Sequence, residues 1–314
     1  MTLSIRLVEH QETFTSEWLA DLSPAGVVAC DFYVAGAESA KSVIGGYSFG
    51  KVLNIDHHAP TAEMSRHVSS TNLALARIRA CGREPDTSLI VISHTDCDSV
   101  LSSAVMSGQL PPDDVFGDAA IAADHTGEPN DLADLLQGLD DCWDKKNPRD
   151  PLYFIDVARR FVNEGELSLD AAGRAALADR QRKRAAAAAA VARGDITVSN
   201  GLGFGLLTEK LDGEFFPDLL RDALVILLLT PRRENPSRWD AKFRLGHAAP
   251  SGSSLHQLGI LEFDPAFGGR WNAGSNTRNL GTSIHPEAYK AELLERLGRL
   301  QSDQALRSCQ LECR

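Results

Sequence analysis

Val91-Ile-Ser-His-Thr-Asp-Cys-Asp-Ser99 decides how the rest of the chain is read, because a short apolar lead-in runs directly into a set of metal-ligand side chains. His94, Asp96 and Asp98 alternate with non-ligands, and in an extended segment leaving a strand, residues two apart share one face. An imidazole and two carboxylates therefore point into one pocket. Hard oxygen and borderline nitrogen donors together suit Mn, Mg, Fe or Zn and argue against a soft thiolate site, while Cys97 falls on the opposite parity. Lone aspartates at strand ends usually cap helices or form turns, but they rarely recur with histidine at one-residue intervals.

Working outward, the same arrangement recurs. Gly26-Val-Val-Ala-Cys-Asp31 and Lys51-Val-Leu-Asn-Ile-Asp-His-His58 are apolar runs closing on ligand-type residues, and Leu89 to Ser93 carries the opening cluster. Asp118-Ala-Ala-Ile-Ala-Ala-Asp124 reads as a fourth such strand, with His125 in the turn after it. Between them, Thr71 to Cys81 and Val100 to Met106 show helical spacing. Short buried strands alternating with helices predict an α/β fold: a doubly wound, mainly parallel sheet with its ligand site at the carboxyl ends of the strands.

From Asp131 the pattern turns helical, with Leu132, Leu135, Leu136 and Leu139 on one stripe and an alanine-dominated helix from Leu169 to Arg193. The organisation expected is a metal-binding domain over residues 1–165, a connecting helix over 166–194, and a smaller α+β domain over 195–314. In the latter, strands are expected at Ile196 to Ser199, Gly203 to Thr208, Leu224 to Thr230 and Trp239 to Gly246. Helices are expected at Ser254 to Leu261 and from Pro286 to Leu300.

The chain has 314 residues, 43% hydrophobic and 24% charged, with a net charge of −11. Non-specific affinity for a polyanion comes from phosphate neutralisation by Lys and Arg, so long nucleic acid is excluded as a partner. The six cysteines, Cys30, Cys81, Cys97, Cys142, Cys309 and Cys313, include no CxxC pair and read as reduced thiols. Arg6, Glu9 and His10 interrupt any apolar signal core, and Ala223 to Leu229 is far short of the roughly 20 residues that span a bilayer. A cytoplasmic protein without a membrane partner is expected, with homo-oligomerisation left open.

The first half thus collects Asp31, Asp56, His57, His58, His94, Asp96, Asp98, Asp124 and His125. One divalent ion needs far fewer ligands, so the inventory fits a two-metal centre that activates water for hydrolysis of phosphate esters or anhydrides. Taken singly, Asp31 reads equally as a backbone cap, His57-His58 as an exposed or core pair, and His125 as a substrate, proton-transfer or turn residue.

Asn54-Ile-Asp-His-His58, Ser93-His-Thr-Asp-Cys-Asp-Ser99 and Ala123-Asp-His-Thr-Gly127 together resemble the DHH phosphoesterase superfamily, which includes RecJ-like nucleases, oligoribonucleases and family II inorganic pyrophosphatases. The resemblance implies a manganese-preferring dinuclear site (Mg, Co, Fe or Zn being alternatives) in a cleft between two domains, the smaller of which grips substrate. It implies that His94 and Asp96 hold one ion, that His57, Asp98 and Asp124 hold the other, and that Asp31 bridges. His58 would face the phosphate or help order the site, and Asp56 would orient the histidines; His125 is taken as a further catalytic candidate beside them. The motif order departs from the family's, in which the HxDxD element precedes DHH; a permuted chain satisfies both, since strand adjacency places the ligands.

Phe267-Gly-Gly-Arg-Trp-Asn-Ala-Gly-Ser-Asn-Thr-Arg-Asn-Leu-Gly-Thr282 occupies the place of the family's Gly-rich substrate motif. Gly268, Gly269 and Gly274 allow close backbone approach, Arg270 and Arg278 offer planar donors, and Asn272, Ser275 and Asn276 offer neutral ones. The competing reading is a glycine hairpin with solvated arginines; Arg232, Arg233, Arg238 and Arg244 add either to a basic cleft or to ordinary surface. The function expected is metal-dependent hydrolysis of a small phosphorylated substrate such as a nucleotide, short oligonucleotide or sugar phosphate. The alternatives are a non-catalytic nucleotide-binding regulatory module and a metallohydrolase acting on a non-phosphate ester or amide.

Overall fold

The first sheet is built from runs that are apolar on both faces, the mark of strands covered by helices on either side. In a computed structural model that describes residues 4–9, 11, 13–59, 61, 64, 67–84, 88–143 and 150–312, with side chains to residue 302, contacts divide the chain into Met1–Arg182 and Lys183–Arg314. His10, Glu12 and the side chains of Cys309 and Cys313 lie outside the described residues. Strands β1 (Ser4–Leu7), β2 (Val27–Cys30), β3 (Lys41–Val43), β4 (Gly46–Ser48), β5 (Val52–Ile55) and β6 (Leu89–Ile92) form a sheet of order β1-β6-β2-β5-β4-β3. β1, β6, β2 and β5 are parallel, and the β3–β4 hairpin joins β5 antiparallel. The sequence reading contains neither β1 nor this hairpin: β1 is half exposed at the sheet edge and carries little apolar signal. Gly46 is required where β4 meets β5, since a Cβ there would lie 2.0 Å from the Asn54 carbonyl oxygen.

Val28, Cys30, Leu53, Ile55, Ile90 and Ile92 face one core, packed with α2 (Ser70–Cys81), α3 (Cys97–Ser107) and α4 (Asp114–Ile121). Val27, Ala29, Val52 and Val91 face the other, packed with Leu19 of α1 (Ser16–Leu22). Helices thus cover both faces, as the alternating pattern requires. α2 begins at a capping box in which Ser69 accepts from Asn72 N, and α3 begins at Asp96, which accepts from Ser99 N.

Asp118 to Asp124 corrects the sequence reading: it is the end of α4 and a π-helical turn, Ala122–Thr126. A short apolar run does not distinguish a buried strand from a buried helix by periodicity, and four alanines with an Asp113 cap favour the helix. α5 (Asp131–Cys142), α6 (Pro151–Glu164) and α7 (Ala171–Ala192) follow. The contact division falls inside α7, a helix of 22 residues.

In the second unit, β7 (Ile196–Ser199), β8 (Leu202–Leu206), β9 (Val225–Pro231), β10 (Trp239–Leu245), β11 (Gly268–Gly269) and β12 (Ala273–Ser275) form a sheet of order β11-β12-β10-β9-β8-β7. Its strands pair antiparallel except β8 with β9. Leu227, Leu229, Ala241 and Phe243 pack beneath Tyr289, Leu293 and Leu297 of a C-terminal helix, Pro286–Glu312. Ile226 and Leu228 on the opposite face pack against Phe215, Phe216 and Ala187. Ser254 caps a 3-10 turn, Leu255–Leu258, before a short helix, Ile260–Phe263, where the sequence suggests one continuous helix.

Candidate metal centre

Three parallel strands that end at one edge deliver the ligand-type residues. β2 lies between β6 and β5, so Asp31, one residue beyond β2, is flanked by His94–Asp98 after β6 and by Asp56–His58 after β5. Asp31 N donates to Ile55 O at 2.9 Å, which extends the ladder by one step. The backbone then turns left-handed, with φ +60° at Asp31. This conformation is uncommon outside glycine, although aspartate tolerates it better than most residues. It is held from both sides, because Ser70 Oγ donates to Asp31 Oδ1 and Ser99 Oγ to Asp31 Oδ2, each at 2.8 Å.

Each oxygen of that carboxylate serves a different cluster. Asp31 Oδ2 lies 3.2 Å from His94 Nε2, which is itself 3.2 Å from Asp96 Oδ2. Asp31 Oδ1 lies 3.6 Å from His57 Nε2, which is 3.6 Å from Asp98 Oδ2 and 3.2 Å from Asp124 Oδ2. Donor atoms of Asp31, His94 and Asp96 converge within 4.8 Å of one another; so do those of His57, Asp124 and His125, and those of Asp31, His57 and His58. Asp31 and His57 are almost wholly buried.

The donor chemistry fits divalent ions. His57 Nδ1 is 2.6 Å from Val68 O; a carbonyl only accepts, so Nδ1 carries the proton and the Nε2 lone pair faces the carboxylates. His94 Nε2 likewise faces Asp31 and Asp96, while its Nδ1 lies 2.9 Å from Ser93 Oγ, a hydroxyl able to donate or accept. No lysine or arginine among the described residues pairs with Asp31 or Asp98, although both are buried. Buried carboxylates need a compensating cation.

The proton balance reflects that crowding. Burial opposes ionisation of Asp31, but the His94 hydrogen bond and the charges of His58, His94 and His57 outweigh it and hold the carboxyl below its usual range. Burial, then the negative charge of Asp31, pushes Asp98 well up, against the pull of His57 and the Thr71 hydrogen bond. Burial lowers His94, yet Asp96 and Asp31 overcome it and raise it well above the ordinary imidazole value. Burial followed by neighbouring acids pushes the Cys30 and Cys97 thiols up, which leaves them protonated and poor ligands.

Asp98 has a second attachment. Its Oδ2 accepts from Ser70 N, and its Oδ1 from Thr71 N and Thr71 Oγ1, all at 2.7 Å, so it also anchors the N-terminus of α2. Asp56 Oδ1 accepts from His58 Nδ1 at 2.6 Å and orients that ring. Asp124 and His125 arrive from the π-helical turn rather than from a strand end; widened turns of this kind recur at functional sites. The His125 ring centroid is 5.3 Å from that of His57, and its Nε2 is 3.1 Å from the same Val68 O. Sequence reasoning missed Ser70, Ser99, Thr71 and the Val68 carbonyl. The run Ser69-Ser70-Thr71 at a helix start is the signal that was available for two of them.

The glycine-rich stretch lies in the second unit as a β11–β12 hairpin closed by Arg270 N donating to Ala273 O at 2.8 Å. Gly268, Gly269 and Arg278 are exposed, while Arg270, Gly274 and Ser275 are half-buried. Asn272 is buried, and Asn276 is fully so: its amide accepts from Ala241 N at 2.7 Å and donates to Asp264 Oδ2 at 2.9 Å. Asn276 is thereby a brace for the hairpin and is removed from the solvent-facing donors. Two arginines read as basic-cleft candidates instead tie the following turn, Arg232 to Thr277 O and Asp240, and Arg238 to Leu280 O and Gly281 O. Arg244 Nη2 lies 3.4 Å from Glu214, and Arg233 is exposed.

No protein-family model matches the chain, and no curated protein matches it. Among solved structures it is similar to the pGpG-specific phosphodiesterase PggH from Vibrio cholerae, at 10% identity and a TM-score of 0.44, over 71% of this chain and 88% of that one.

Proposed function

We propose that the chain is a metal-dependent phosphoesterase whose first unit holds two divalent ions, with manganese the preferred candidate, and hydrolyses a small phosphorylated molecule. The observation that carries this reading is the division of Asp31: one carboxylate oxygen faces His94, whose Nε2 also faces Asp96, and the other faces His57, whose Nε2 also faces Asp98 and Asp124. A carboxylate so divided is what a shared ligand between adjacent ions requires. Such ions, when bound, make water acidic enough to attack phosphorus and neutralise the phosphoryl oxygens. The chain's residues do the rest. His57 presents an Nε2 lone pair fixed by the Val68 carbonyl at its Nδ1, His94 turns Nε2 toward Asp31 and Asp96, and Ser70 and Ser99 keep both Asp31 oxygens aimed. His58, held by Asp56, offers its ring at the half-buried rim for proton exchange with the substrate, and His125 stands beside His57 for the same purpose.

Arg270 and Arg278, with Gly268, Gly269, Gly274, Ser275 and Asn272, are proposed to take part in substrate binding by the second unit. Among the described residues no helix is long and apolar enough to cross a membrane. The net charge of −11 favours a nucleotide, short oligonucleotide or sugar phosphate over a long polyanion.

The test is metal analysis together with turnover. The protein loaded with Mn should release product from a phosphoester panel, and Asp31→Asn should lose both bound metal and at least about a thousandfold in kcat/KM, about 4 kcal/mol of transition-state stabilisation. Near-neutral behaviour of Asp31→Asn would refute the shared-ligand assignment. An amide and ester panel run in parallel distinguishes carbonyl from phosphoryl chemistry.

A further inference from the structure

Thr95 stands between two candidate ligands, and its side chain is engaged elsewhere. Successive side chains of an extended segment alternate: His94 Nε2 lies 3.2 Å from Asp31 Oδ2 and from Asp96 Oδ2, whereas Thr95 is fully buried and its Oγ1 donates to Asp140 Oδ1 at 2.6 Å. That length belongs to a charge-assisted bond from a hydroxyl to a carboxylate. Asp140 lies on α5, so Thr95 ties the ligand-bearing segment to a helix 45 residues further along the chain.

α5 is a firm anchor. Leu135 and Leu136 are fully buried, and Gly138 admits α7 so closely that a Cβ there would lie 2.5 Å from Ala176 O. The buried Arg180 of α7 lies 3.8 Å from Asp134 and 3.5 Å from Asp141.

The two halves of the candidate centre are not held alike. The side chains of His57 and Asp98 are wholly buried, and each is fixed by another part of the chain: His57 Nδ1 by Val68 O, and Asp98 by hydrogen bonds from Ser70 and Thr71. His94 and Asp96 are 36% and 25% exposed, on residues 93–96 between β6 and α3. Ser93 Oγ, beside His94 Nδ1, belongs to the same segment and moves with it. Asp96 is fixed at the start of α3, and Thr95 fastens the stretch before it.

We propose that Thr95 is a positioning residue: its bond to Asp140 holds the segment bearing His94 and Asp96 against α5 and thereby sets how tightly that half of the centre takes its ion. The role rests on the two-ion reading above. Partners of this kind, which touch the ligand-bearing chain rather than the metal, carry about 10–100-fold in metal affinity.

The experiment is titration of the metal-stripped full chain with Mn, with the free ion followed by electron paramagnetic resonance so that ions bound per chain are counted at each free concentration. Wild type should take up two. Thr95→Val keeps the branched shape without the hydroxyl; it should bind one ion as wild type does and need about 10–100-fold more Mn for the other. Thr95→Ser, which restores the hydroxyl, should return the wild-type curve. Asp140→Ala removes the acceptor from the half-buried end and should weaken the same single ion, and in that background Thr95→Val should add nothing further. A general loss of structure would instead weaken both ions. Two ions on wild type with an unaltered curve for Thr95→Val and Asp140→Ala, or equal weakening of both ions, overturns the positioning role alone. Fewer than two ions on wild type overturns the two-ion reading and the positioning role with it.

Discussion

Asp31 combines two costs at one position, a left-handed backbone and a buried charge, and both can be measured separately. Asp31→Ala and Asp31→Gly each remove the carboxylate and strand the same two serine hydroxyls, but alanine keeps the φ of +60° and glycine is at ease there. In metal-free protein the glycine variant should therefore be the more stable of the two by about 1–2 kcal/mol, read by urea unfolding, while neither binds Mn. Equal stabilities would mean that the turn is unstrained. Little of this was open to the sequence. The candidacy of Asp31 as a ligand follows from its place after an apolar run, yet its hydroxyl partners lie 39 and 68 residues away and only the sheet order brings them together.

At the scale of elements, the two aspartates of the HxDxD motif divide their duties. Asp96 caps α3 through Ser99 N and sits nearer the rim, whereas Asp98 is buried and anchors α2 through Ser70 N and Thr71 N. Asparagine is as good a cap as aspartate, so Asp96→Asn should change stability by no more than about 0.5 kcal/mol while lowering Mn affinity at least tenfold. Asp98→Ala should cost about 3 kcal/mol even without metal, because it strands backbone donors at a helix start. Chemical denaturation with and without EDTA compares the two; a large loss for Asp96→Asn would reverse the assignment. The strand-end rule located β2, β5 and β6 from residue patterns alone, because each is a short apolar run that closes on polar ligands. It failed at Asp118 to Asp124, where alanine's helix preference decided between two structures with the same apolar content. The glycine hairpin was legible as a turn, but not the burial of Asn276, which depends on Asp264 and Ala241 from other elements.

For the whole molecule, all the ligand-type residues of the candidate metal centre fall within Met1–Arg182 and the glycine-rich hairpin within Lys183–Arg314. Metal should therefore stabilise the chain unevenly. In calorimetric melts, Mn at a hundredfold excess over its Kd should raise the stability of the first unit by about 2.7 kcal/mol for each ion bound and leave the transition of the second in place. Asp31→Asn should abolish the shift. A uniform response of both units, or none, would argue against a centre confined to the first.

Val68 O meets both His57 Nδ1 and His125 Nε2. Because this acceptor belongs to the main chain, every amino acid at position 68 supplies it. A saturation scan of single substitutions would score Val68 by the size of its side chain and pass over its hold on two imidazoles. Deletions or insertions between His58 and α2, which move the carbonyl itself, are the changes to which the centre should be most sensitive, so indel tolerance along that segment reports on the site where side-chain tolerance does not.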